Sequence, residues 1–190
     1  MIENHPFSYI YEGNSEYCSE HKKVHISPSQ VAESNFLTAV YRSLGCNYPK
    51  FFKMDDLSKA GFLVAEMAIG AYKKELDPKT TGVVFFDRKA SLSTDCIFAK
   101  TIADADNFFP SPSVFVYTLP NIVSGEVCIR HGFQGESAFY VLKEQDGNQI
   151  QNICQDMLVS NSAVVCGWVD FVAGDVFARA EIFTAEDFKS

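Results

Sequence analysis

A chain of 190 residues with 47% hydrophobic and 21% charged side chains can bury a core of its own, which excludes an intrinsically disordered protein. Its formal charge of -8 comes with neither a basic stripe nor a Lys/Arg-rich tail, which excludes nucleic acid and anionic membrane surfaces as partners. No apolar run reaches the ~18 residues of a membrane span. The N-terminal MIENHPFSYIYEG lacks the basic start and apolar centre of a signal peptide, so residues 1–190 read as one cytoplasmic domain. The six cysteines, Cys18, Cys46, Cys96, Cys128, Cys154 and Cys166, show no paired spacing and are expected to be reduced, buried, small hydrophobes.

In chain order, Phe7 to Ile26 reads as one or two irregular strands, FSYIY and KKVHI. Within them Cys18, His21 and His25, with Glu16 or Glu20, are spaced so that metal ligands could meet. Zinc sites of this size usually draw on two separate pairs, so an irregular hairpin with solvated histidines is the simpler reading and no metal is expected.

A helix starts at Ser27-Pro28-Ser29-Gln30, where a capping serine, a first-turn proline and a capping-box glutamine coincide. Its apolar stripe runs through Val31, Leu37, Val40, Tyr41 and Leu44 and stops at Gly45. A second helix begins at Asp55-Asp56 and continues through Leu57, Leu63, Met67 and Ala71 to the basic Lys73-Lys74.

Pro78 and Gly82 introduce GVVFF, an apolar run suited to a fully buried parallel strand. A polar segment containing Asp95 starts a helix reaching about Ala103, and the prolines of FFPSPSVFVYTLP impose a loop or short helical turns. Asn121 to His131 reads as a helix ended by Gly132. SAFYVL is then a strand, KEQDG a turn, and Asn148 to Val159 a helix with Ile150, Ile153, Cys154, Met157 and Leu158 inward. Gln149, Asn152, Gln155 and Asp156 make its far face polar.

Finally SAVVCGWVDF pairs with DVFARAEIFT across an Ala173-Gly174-Asp175 turn, with Val176, Ala178, Ala180 and Ile182 alternating against Phe177, Arg179, Glu181 and Phe183. Helices alternating with strands and closing on a hairpin imply an α/β layered sheet. That sheet is expected to be mostly parallel, with one antiparallel edge strand and helices on both faces. GVVFF is not followed by a glycine-rich phosphate or dinucleotide turn, so no cofactor is expected.

A strand that stops at a turn opening a helix is a place to display a nucleophile. This turn offers only Lys143, Glu144, Gln145 and Asp146. Glu144 is open to two readings: a general acid/base or oxyanion-site mimic, or a carboxylate that steadies the helix N-terminus by ~0.3–1 kcal/mol, with Asp146 as an alternative cap.

The stretch LPNIVSGEVCIRHGFQGESAF resembles the segment of β-ketoacyl-acyl carrier protein synthases, condensing enzymes of the thiolase superfamily, that leads to their nucleophile. Pro120-Asn121, Gly125, Ile129-Arg130, Gly132 and Gly135 stand in register with it. QIQNICQDMLVSNSAVVCGWVDF resembles the helix, turn and strand that follow, so the likeness covers Phe115 to Phe171. YPKFFKMDDLSKAGFLVAE and GVVFFDRKASLSTD fit the earlier helix, strand and helix start more loosely. The resemblance implies one thiolase-like half domain of order β-α-β-α-β-α-β-β, corresponding to the first half of a ketosynthase.

In that family a Cys between small residues occupies the strand-to-helix turn, where N–H groups lower its pKa and bind the developing oxyanion. The register puts that Cys at Glu144, or at Gln145 with a one-residue gap, and neither can be a thiolate. The family's catalytic His and Asn residues come from its second half, and His5, His21, His25 and His131 match none of them.

The resemblance therefore implies a catalytically silent, chain-length-factor-like partner in fatty-acid or polyketide biosynthesis. It would be a homodimer, or a heterodimer with a complete ketosynthase, joined along SAFYVL. An acyl carrier protein, itself acidic, is a further partner, for which basic pairs such as Arg88-Lys89 are the available docking points. Two alternatives stand beside this. One is an acyl-transferring enzyme using Cys128, three residues before His131 on one helix face, or Glu144 as acid/base. The other is a binding module without acyl chemistry.

Overall fold

The computed structural model describes residues 7–19, 22–104, 106, 108–172 and 175–189. The strands are β1 (Phe7–Tyr11), β2 (Glu16–Ser19), β3 (Lys22–His25), β4 (Thr81–Asp87), β5 (Ser137–Val141), β6 (Ala163–Val172) and β7 (Asp175–Thr184). The helices are α1 (Pro28–Glu33), α2 (Phe36–Ser43), α3 (Asp56–Ala71), α4 (Leu92–Lys100), α5 (Pro112–Val116), α6 (Ile122–His131) and α7 (Gly147–Met157).

Among the described residues seven strands join one sheet in the order β3-β2-β1-β7-β6-β4-β5. Only β5–β4 and β4–β6 pair in parallel, and the other pairs are antiparallel. The α/β layering holds, but the sheet is mixed rather than mostly parallel, and its last strand is not an edge. A short hairpin forces β7 to run against β6. The free side of β7 is then taken by β1, which brings β2 and β3 with it as a meander. β1, β2 and β3 are thus regular strands, because an unpaired β7 would leave a row of ladder groups without partners.

Local chemistry explains most element ends. Ser27 and Gln30 form the expected capping box, but the helix expected to reach Leu44 breaks at Ser34. Asn35 restarts it, its side chain accepting the Thr38 N–H at 2.8 Å, so that α2 is a separate helix with its own cap. Asp55 caps α3 by accepting the Ser58 N–H at 2.9 Å. Gly132, at φ 70°, ends α6 in the left-handed region that favours glycine.

The larger core lies between the sheet and α2, α3 and α6. It holds Ile10, Phe36, Val40, Phe51, Phe62 and Phe85, all at most 1% exposed, together with the inward row Val176, Ala178, Ala180 and Ile182 of β7. Burying each such Phe contributes ~1.5–3 kcal/mol. Packing is tight at Gly61 of α3, where an added Cβ would come within 2.4 Å of Val123 on α6. A smaller core on the opposite face joins Ile150, Cys154 and Met157 of α7 to Val84, Phe86, Cys166 and Trp168. Helices therefore cover both faces, and Asn148, Gln149, Asn152, Gln155 and Asp156 leave the outer side of α7 polar and exposed.

Candidate functional site at the strand ends

The C-terminal ends of parallel strands are where α/β sheets place their ligands, because the following turns converge there. Here the ends of β4, β5 and β6 are tied together. The Leu142 N–H, just after β5, donates to the Asp87 carbonyl at the end of β4 at 2.8 Å.

In the turn from β5 to α7 the Asp146 N–H donates to the Glu144 carbonyl at 2.8 Å. The Asp146 carboxylate accepts the N–H groups of Asn148 at 2.9 Å and Gln149 at 3.2 Å. Glu144 is exposed and Gln145 half-buried, and neither caps the helix. The N–H donors that would steady a thiolate or oxyanion at this turn are therefore occupied by the chain's own carboxylate.

On β4, Asp87 is buried and its Oδ1 accepts the Ala90 N–H at 2.8 Å, holding Ala90 at φ 52°. Burial, more than the neighbouring Asp170 charge, pushes the Asp87 carboxyl up to about 6, against the pull of the Ala90 N–H. Asp170 itself is charge-neutralised: Arg88 Nε and Trp168 Nε1 each donate to its Oδ2 at 2.9 Å. Phe86 and Tyr140 stack at 5.5 Å beside this group. Sequence alone singles out Arg88 here, and neither Asp87 nor Asp170. The available signal was an aspartate closing one apolar strand, GVVFFD, and another two residues from the end of the neighbouring one, WVDFV.

The other sequence-derived residues lie apart from these strand ends. The thiol of Cys128 is half-buried against the larger core, and burial raises its pKa against a bond from Ser137. His131 turns its Nε2 to Glu66 and stacks on Phe133 at 5.3 Å, so the Cys128–His131 helical spacing serves two separate contacts. In the N-terminal hairpin Glu16 faces His25 at 3.9 Å, and Cys18 lies opposite Lys23. Tyr9 donates to Glu16 at 2.9 Å and Lys23 lies 3.5 Å from it, and the Tyr9 bond comes first in holding the Glu16 pKa low. His5, His21 and Glu20 lie outside the described residues, among which no group of three or more metal-ligating side chains comes together.

No family model and no curated protein sequence matches the chain. Solved structures do. The ishigamide ketosynthase/chain length factor aligns with a TM-score of 0.61 at 17% identity, over 77% of this chain and 48% of that one. A ketosynthase (ApeO) in complex with its chain length factor (ApeC), from Xenorhabdus doucetiae, aligns with a TM-score of 0.58 at 12% identity, over 80% of this chain and 72% of that one. A beta-ketoacyl synthase from Burkholderia phymatum aligns with a TM-score of 0.54 at 10% identity, over 75% and 45%. The chain thus spans about half the length of the first and third of these structures. At such identities the likeness is one of fold: the architecture around the strand ends is similar to that of about half of these ketosynthase structures.

Proposed function

We propose that this chain is a non-condensing, chain-length-factor-like accessory subunit of fatty-acid or polyketide assembly, working in the cytoplasm. The observation that carries the reading is the β5–α7 turn, where no cysteine stands and Asp146 fills the helix N-terminus that a nucleophile would need. An accessory subunit needs a surface for its synthase. β5 is one edge of the sheet, with Tyr140 and Val141 exposed on it and Ile129 of α6 exposed beyond it. The reading gives that edge to a second copy of this chain or to a complete ketosynthase. Exposed Lys89 and Lys143 by the strand ends, beside the Arg88 that is paired with Asp170, supply the positive charge for an acidic acyl carrier protein.

The test is co-purification of the tagged chain from its native host, with mass spectrometry of what elutes. Recovery of a Cys-bearing synthase or a carrier protein is the expected result. Condensing activity in the isolated chain, lost in Glu144→Gln or Cys128→Ala, would overturn the reading in favour of an enzyme.

A further inference from the structure

Between β4 and α6 the chain makes an excursion that is attached to the body by far less buried surface than α2, α3 or α6. α4 buries one residue, Thr94, and α5 buries none, whereas most of α3 is buried. The two short helices pack on each other through Phe98 and Phe115, whose rings are 5.3 Å apart. Leu92, Ile97, Phe115 and Val116 remain between 44% and 54% exposed.

The joints to the body are polar. Thr94 Oγ1 donates to Asp55 Oδ2 at 2.6 Å, while the other oxygen of Asp55 still caps α3. Ser91 donates its hydroxyl to the Thr118 carbonyl, closing the base where the excursion leaves and returns. Between α4 and the start of α3 lies a cavity of about 240 Å³, lined by Asp55, Asp56, Lys59, Ser91, Ser93 and Ile97 among others. A region with few buried apolar contacts and polar joints belongs to the low-stability end of a fold and opens without the rest.

We propose that α4 and α5 form a hinged arm, pinched at its base by Ser91 and Thr118 and latched to the body by the Thr94–Asp55 hydrogen bond, which swings away as one unit. The arm belongs to the isolated chain and does not depend on the accessory role, so the test uses the purified protein without any partner.

Hydrogen–deuterium exchange read by mass spectrometry is expected to show α4 and α5 amides exchanging together and well ahead of α3 and β4. Thr94→Val removes the latch and leaves the Asp55 cap in place. It is expected to speed exchange of the arm by about tenfold with α3 and β4 unchanged. Exchange of the arm in step with α3 and β4 would overturn the hinge. Fast exchange that Thr94→Val leaves unaltered, or that it accelerates throughout the chain, would overturn the latch.

Discussion

Asp87 couples the proton to stability in a direction opposite to most carboxylates. The unfolded group titrates near its ordinary 3.8 and the folded group near about 6, so the folded chain holds the proton more tightly. The stabilisation is complete below pH 3.8, is lost as the pH rises to about 6, and is flat above. The tighter hold on the proton corresponds to at most about 3 kcal/mol. Asp87→Asn keeps an acceptor for Ala90 and removes the charge. Denaturant midpoints at pH 4 and pH 7 are expected to fall with pH in the parent chain and to converge in the variant. Asp146→Ala, which strips the cap from α7, is expected to cost about 1 kcal/mol in the same assay. Asp87 was not legible as a special residue in the sequence, and Asp146 was legible only as an alternative to Glu144 for the cap of α7. The pKa of Asp87 arises from burial that only the packed sheet creates, and the cap of α7 could have been taken by Glu144 or Asp146 on spacing alone.

Among the elements, those whose pattern is local were legible: α3 from its acidic start and apolar run, β4 from GVVFF, α6 from its terminal glycine, and the β6–β7 hairpin. The break between α1 and α2 was not, because the apolar stripe continues across it and only the Asn35 side chain, bonded to Thr38, marks the restart. The pairing of β1 with β7 was not legible either, since β1 finds its partner at the far end of the chain. The approach of α3 to α6 gives an element-scale prediction. Gly61→Ala gains about 1 kcal/mol of helix propensity. Its Cβ would meet Val123 at 2.4 Å and the Phe85 ring at 3.1 Å. Overpacking of this kind costs about 1–3 kcal/mol, so a lowered melting temperature is expected despite the better helix former.

At the scale of the molecule, the edge strand β5 and the polar outer side of α7 point the same way. A helix buried between two layers is apolar all round, and α7 is not, so its outer side suits water while the β5 edge offers unpaired ladder groups and Val141 at 54% exposure. Val141→Lys places a charge on that edge and is expected to shift the purified chain toward monomer by light scattering; a parent chain that is strictly monomeric at high concentration would remove the dimer from the proposed function. The pairing of β1 with β7 also sets a clock. Phe7 lies opposite Glu181, so the N-terminal meander cannot reach its seat until nearly the whole chain has been made. At roughly 5–20 residues per second of synthesis, β1 waits on the order of 10–30 s with an open edge. Ribosome-bound chains halted before Asp175 are therefore expected to recruit chaperones or aggregate, while those halted beyond β7 fold.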